Sequence, residues 1–250
     1  MACSTPPVLI TSSVRVSAPF TKLTDERERV FYTLEAIERW LAISPGLRIV
    51  LCDGSNFDFV PFTSQKFPGA SIECLRFENS SGLIRQYGKG YGEGEIVRYA
   101  LANSACLADA DFFAKCTAKF WVDNFAQCLA GWNGTFRCTA NFLNFEDPQQ
   151  LEFVSANTDF YLVGTSYYLD HFLLAYLDVR DRDEHYLEHC FRDVIVTRRL
   201  AGVLFDVYPL VFGVSGSERV RVFIEDTAAA QREYAAKLAQ VRASPKYGLL

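Results

Sequence analysis

Two short apolar runs constrain this chain more than any other feature. Residues 8–13, VLITSS, and 47–52, LRIVLC, have the length of buried strands and are too short for helices. Between them Val30, Leu34, Ile37 and Leu41 recur at offsets of three and four, which is the apolar stripe of a helix. Thr24 can cap that helix, Asp25 and Glu26 complement its dipole, and Ser44-Pro45-Gly46 ends it. Two strands joined by a helix of this length predict a right-handed βαβ unit.

The rest of the chain extends that pattern. Residues 71–77 read as a third strand after a Phe- and Pro-rich loop at 56–69. A glycine-rich loop at 88–94 opens a helix whose face is Ile96, Val97, Ala100, Leu101, Ser104 and Leu107. Asp111-Phe-Phe-Ala-Lys-Cys116 then reads as a strand ending in Thr117-Ala118-Lys119. Beyond it come a short helix at 121–129 and strands at 134–140 and 158–164, separated by a polar segment at 141–150. Tyr168, Leu169, Phe172, Leu173, Tyr176 and Leu177 mark a helix. A charged break at 180–184 precedes another helix running to about residue 200. Strands at 203–208 and 219–224 and a helix at 227–242 complete the reading. The expectation is one α/β domain, Rossmann-like, with a mixed, mainly parallel central sheet flanked by helices.

Composition sets outer bounds. At 250 residues, half of them hydrophobic, the chain can bury a full core. A net charge of −5 gives no bulk attraction to nucleic acid. No apolar run has the length of a membrane span and no signal-peptide pattern opens the sequence, so a cytoplasmic location is expected. The eight cysteines, Cys3 among them, form no CxxC pair, and zinc or disulfide roles are not expected. Twenty-one Phe and twelve Tyr against one Met predict a stiff aromatic core, with surplus rings for an acceptor groove or a homodimer contact.

Open α/β sheets bind ligands at the carboxyl ends of their strands, which selects the candidate site residues. Thr11 and Ser12 end the first strand. Asp53, Gly54 and Ser55 end the second, where the same letters also make a good β-turn. Thr117 and Lys119 end the strand at 111–116, though Lys119 can equally extend outward into solvent. Lys89 and Gly90 lie in the glycine-rich loop, whose spacing and position fit a dinucleotide fingerprint poorly. Ser215, Ser217 and Arg219 could meet phosphate or simply form a hairpin turn. Among Asp183, Glu184 and Glu188 one carboxylate could serve as a catalytic base, Glu188 first; a solvated helix end explains the same letters. His185 and His189 stand four apart but lack the HExxH zinc arrangement. A literal Asp109-Ala110-Asp111 falls at the amino end of its strand, on the wrong rim for a ligand.

The opening through IVLCDGS resembles the start of GT-A-fold glycosyltransferases, whose family-two members end a similar strand in an Asp-Asp/Gly-x-Ser turn. GKGYGEGEIVRYALANSACLADADFFAKCTAK is similar in layout to their next segment, which ends in a metal-binding Asp-x-Asp. Some bacterial cell-surface polysaccharide transferases share the lysine-glycine loop and a Thr-Gly/Ala-Arg/Lys turn. The likeness spans residues 8–119, about half the chain, and Thr117-Ala118-Lys119 stands where the Asp-x-Asp would be. The resemblance implies a nucleotide-sugar-binding half at 8–119 and an acceptor-side half at 120–250. It also implies transfer to a glycan or lipid-linked glycan, at most peripheral to the inner face of a membrane. With lysine in place of two carboxylates, it implies a diphosphate neutralised by Lys119, helped by Lys89 or Arg219, with no cofactor and no divalent metal. Two rivals remain: a non-catalytic nucleotide- or glycan-binding relative, and a sugar nucleotidyltransferase, against which the glycine-free stretch after strand one counts.

Overall fold

The computed structural model describes residues 5–147 and 149–250; Cys3 lies outside them. The predicted βαβ opening is present as β1 (Val8–Ser12), α1 (Glu26–Ile43) and β2 (Ile49–Asp53). Asp25, rather than Thr24, caps α1: its carboxylate accepts from the Glu28 N–H at 2.9 Å. The strands alternate strictly. Val8 and Ile10 pack with Ile37, Trp40 and Phe125 on one side of the sheet, while Leu9 packs with Val97 and Phe113 on the other. Both faces are therefore covered, as parallel strands require.

Then follow α2 (Val60–Lys66), β3 (Ile72–Arg76), α3 (Ser81–Tyr87), α4 (Lys89–Asn103), α5 (Ala105–Ala108) and β4 (Phe112–Thr117). The expected loop at 56–69 thus contains a helix. The expected glycine-rich loop at 88–94 is itself the first two turns of α4. Tight packing is the reason. A Cβ at Gly94 would lie 2.1 Å from Tyr176 Cβ, and one at Gly90 2.8 Å from Leu187 Cβ. These glycines let a helix press against its neighbours rather than break it, and Gly88 (φ +119) makes the left-handed entry.

The second half comprises β5 (Phe120–Val122), α6 (Phe125–Ala130), β6 (Phe136–Leu143) and β7 (Glu152–Gly164). It continues with α7 (Thr165–His171), α8 (Leu187–Thr197), β8 (Val211–Val214), β9 (Arg221–Val222) and α9 (Thr227–Ala243). Residues 121–129, expected as one helix, split between β5 and α6. The helix expected around 168–177 stops at His171 and resumes as a 3-10 turn at Ala175–Asp178. Residues 203–208 form no strand; their backbone meets the sheet at a Cys138–Leu204 bridge, with Phe205 stacked on Phe160 of β7.

The main sheet runs β3-β2-β1-β4-β7-β6, with β3, β2, β1 and β4 parallel and β7 antiparallel to both neighbours. A small sheet, β5-β8-β9, stands beside it. This is the single α/β domain expected, with a mixed, mostly parallel sheet flanked by helices in the Rossmann/GT-A-like manner. Register brings two strand ends together: Thr11 pairs with Thr117, so the ends of β1 and β4 lie side by side.

Candidate functional site

A cavity of about 400 Å³ opens at those two strand ends. Thr11 and Ser12 from β1, Thr117 from β4 and Lys119 from the turn after it form its floor. Lys89, Gly90 and Glu93 at the start of α4 form one wall, and Ser215, Gly216 and Ser217 after β8 form another. Thr158 and Asp159 of β7, with Glu188 of α8, close the far side. Residues distant in sequence thus converge where an open α/β sheet places its ligand.

Lys119 is the central feature. It is only 4% exposed, sits in a left-handed turn (φ +77), and its ammonium has no hydrogen-bond or ion-pair partner among the described residues. Burial, reinforced by the nearby Arg29 guanidinium, pulls its pKa down from 10.5 to about 7, against the raising influence of Glu93, Asp159 and Asp53. Arg29 is a site residue that the sequence reading missed. It reaches from α1 to donate to the carbonyls of Ser13 (2.7 Å) and Leu23 (2.8 Å), and burial lowers its pKa to about 10. Gly216 lies close over both cations: a Cβ there would be 3.3 Å from Lys119 Cε and 3.4 Å from Arg29 Nη1. Lys89 Nζ donates to Ser217 Oγ at 2.8 Å, tying the α4 wall to the β8 loop. Thr11 Oγ1 is buried without a partner at the cavity floor.

Beside this basic group runs a network held by Lys115, fully buried in β4. Its ammonium pairs with Glu93, donates to Thr117 Oγ1 at 2.8 Å and to the Thr158 carbonyl at 2.6 Å. Thr158 Oγ1 in turn donates to Glu188 Oε1 at 2.9 Å. Asp181 caps the entry to α4 by accepting from the Lys89 N–H at 2.9 Å, and burial raises its pKa.

Other candidates lie elsewhere. Asp53, Gly54 and Ser55 do not line the cavity. The Asp53 carboxylate, fully buried, accepts from the N–H groups of Val14 (3.0 Å), Ser55 (2.8 Å) and Phe57 (3.1 Å) and from Ser55 Oγ (2.6 Å). Gly54 packs against Asn79, whose Nδ2 a Cβ would approach to 2.3 Å. Arg219 points away and pairs with Glu28 at 2.8 Å. Asp183 is exposed and pairs with Arg180 at 3.7 Å, while Glu184 is exposed at the end of a 3-10 turn. Of the three late carboxylates only Glu188 faces the cavity. His189 accepts from the Tyr186 N–H at 3.0 Å, capping α8. No group of three or more His, Cys, Asp or Glu side chains is arranged to hold a metal ion among the described residues.

Arg29 was detectable. Arg29, Thr33, Ala36, Ile37 and Trp40 form the buried face of α1, so the arginine stands on the inward side of an otherwise charged first turn.

No protein-family model and no curated protein matches the chain. Solved structures are similar to it at low identity. A protein assigned as a nucleotide-diphospho-sugar transferase from Desulfovibrio desulfuricans G20 is 9% identical over 81% of this chain and 80% of its own, with a TM-score of 0.48. The galactosyltransferase LgtC, in complex with donor and acceptor sugar analogues, is 9% identical over 76% and 70%, at 0.46. A 4-diphosphocytidyl-2C-methyl-D-erythritol synthase from Anaerococcus prevotii is 9% identical over 93% and 100%, also at 0.46.

Proposed function

We propose that the protein is a GT-A-like glycosyltransferase that moves a sugar from a nucleotide-activated donor to a glycan or lipid-linked glycan, in the making of surface polysaccharide. One observation carries the reading: the unpartnered Lys119 ammonium, set beside Arg29 in a cavity at the ends of parallel strands. A buried cation with no partner is costly unless an anion completes it. The donor's diphosphate supplies that anion. Lys119 and Arg29 then take up charge on the leaving phosphate, Lys89 and the hydroxyls of Ser12, Ser215 and Ser217 hold its oxygens, and Thr11 and Thr117 meet it from the floor. In this reading no divalent metal is required, because fixed ammonium charge does the same electrostatic work. Residues 8–119 provide most of the donor side and 120–250 the acceptor side. No helix among the described residues is long and apolar enough to cross a membrane. A cytoplasmic enzyme meeting a lipid-linked acceptor would therefore do so peripherally.

The test is a thermal-shift screen over UDP-, GDP-, dTDP- and CMP-sugars, since a ligand that binds the native state raises its melting temperature. At least one should do so, with EDTA present. Lys119→Ala should weaken the corresponding nucleotide about 10- to 100-fold, as befits one charge-assisted contact. Product analysis then separates the rivals. With a nucleotide sugar a glycosyltransferase releases the nucleotide, with a nucleoside triphosphate and a sugar 1-phosphate a nucleotidyltransferase releases pyrophosphate, and a binding module releases nothing from either. Turnover abolished by EDTA, restored by Mn²⁺ and indifferent to Lys119→Ala would overturn the reading.

A further inference from the structure

A second cavity, about 240 Å³, adjoins the first and shares Phe120, Asp159 and Ser215 with it. Its chemistry is different. Phe120, Tyr208 and Pro209 offer apolar faces, and Asn157 and Thr139 offer polar groups, with no basic side chain in the lining. Flat hydrocarbon surface beside a few convergent hydrogen-bonding groups suits a sugar ring, which has a C–H face and a rim of hydroxyls. Tyr208 is held firmly. Its carbonyl accepts from Asn124 Nδ2 (2.9 Å) and Gln231 Nε2 (2.6 Å), and its N–H donates to Gln231 Oε1 (2.9 Å). Its phenol hydroxyl makes no hydrogen bond to any described residue.

The wall between the cavities is a bulge in β7. Ala156 pairs with Ala140 and Tyr161 with Cys138, so residues 157–160 stand opposite Thr139 alone. On the other edge, pairing with β4 ends at Phe160. Asn157, Thr158 and Asp159 are thereby released from both ladders, and bulges of this kind re-aim side chains beside sites. The main chain of the bulge is fixed instead by side chains: the Thr158 carbonyl accepts from Lys115, and the Asp159 N–H donates to Asn157 Oδ1 at 2.7 Å. Thr158 and Asp159 then diverge. The Thr158 hydroxyl is spent on Glu188, whereas the Asp159 carboxylate has no hydrogen-bond or ion-pair partner among the described residues. Burial raises the Asp159 pKa, and Glu93 and Glu188 add to the rise against the pull of Lys115 and Lys89, the direction that makes a carboxylate a stronger base.

Building on the donor reading, we propose that the second cavity binds the acceptor glycoside and that Asp159, on the wall shared by the two cavities, is the general base. Glu188, the stronger candidate by sequence, is a positioning residue that holds the bulge through Thr158. In the step, the acceptor hydroxyl gives its proton to Asp159 Oδ, and its oxygen forms a bond to the donor's anomeric carbon. The anomeric C–O bond to phosphate breaks with its electron pair, and the nucleotide leaves with that charge beside Lys119.

Two measurements test this. The first is saturation-transfer NMR with a panel of methyl glycosides, with and without the nucleotide found by the donor screen. Wild type should contact at least one glycoside. Tyr208→Ala, and Val211→Phe as a cavity-filling variant, should lose that contact while keeping nucleotide affinity. Nucleotide binding without any glycoside contact overturns the second site and leaves the donor reading standing. Glycoside contact without nucleotide binding overturns the donor reading and with it the role of Asp159 as base, leaving the glycoside site, and absence of both overturns both. The second measurement is nucleotide release from the donor as a function of pH. Asp159→Asn should lose about 10²–10⁴-fold and the rising limb of the profile, with nucleotide affinity and melting temperature retained. Glu188→Gln should lose less than about tenfold and keep the limb. Release within a few-fold of wild type in Asp159→Asn, or a larger loss in Glu188→Gln, removes Asp159 from the role.

Discussion

The ends of β2 and β4 make an instructive pair. Both are carboxyl ends of parallel strands in one sheet, both carry a charged residue, and by strand position alone both qualify as ligand sites. They differ in what the backbone does next. After β2 the chain turns back so that the Ser55 and Phe57 N–H groups and the Ser55 hydroxyl converge on Asp53, and the Val14 N–H from the segment after β1 completes its set of donors. After β4 the chain makes a tight turn into β5 in which the Lys119 carbonyl accepts from the Val214 N–H at 3.0 Å, while no carbonyl, carboxylate or hydroxyl among the described residues accepts from the ammonium. Strand topology offers positions. The local accounting of donors and acceptors decides which position remains available to a ligand.

The largest expected effect would break the comparison at its closed end. Asp53→Ala strands buried donors from Val14, Ser55 and Phe57, so urea denaturation should report a loss of at least ~3 kcal/mol. Had Asp53 been a ligand group, stability would hold and nucleotide affinity would fall instead.

At the open end the expected signal is protonic. Lys119 folds with a pKa near 7 against 10.5 unfolded, facing Arg29 of like charge and Glu93, Asp159 and Asp53 of opposite charge. The unfolded chain therefore holds the extra proton between those values, and stability should rise with pH across that interval. Lys119→Met should flatten the rise and be the more stable protein at pH 7. By the same linkage a bound diphosphate restores the charge. Titration calorimetry in buffers of different ionisation enthalpy should then show a fraction of a proton taken up on nucleotide binding at pH 7–8. Proton release would contradict the assignment.

The smallest effect returns to β2. Ser55→Ala removes one hydroxyl bond to Asp53 and the acceptor for the Arg15 N–H, and should cost ~1 kcal/mol with nucleotide affinity unchanged.

Legibility in the sequence divides in the same way. The βαβ opening, the strand before Thr117 and the position of Lys119 were legible because hydrophobic period and strand ends are local. The helix at 89–94 was not: Gly90 and Gly94 read as breakers until Leu187 and Tyr176, far along the chain, are seen pressing on them. Asp159 lay inside a segment read simply as a strand, because a bulge depends on pairing with Ala140 and Cys138 and leaves no mark on its own residues. Asp183 and Glu184 share Glu188's local chemistry but point to solvent, a distinction made only by the turn at 181–184.

Lys119 also bears on how this protein would respond to selection. A left-handed backbone at a non-glycine residue costs on the order of 1 kcal/mol, to which the burial of an amine is added. For heat resistance alone, Gly or Asn at position 119 is the better residue, and a library selected only for survival at high temperature should drift there quickly. Under the proposed role, lineages selected to keep nucleotide-sugar turnover should hold the lysine and recover stability at distant surface positions. The same turn would then record, in any collection of descendants, whether the cavity was still in use.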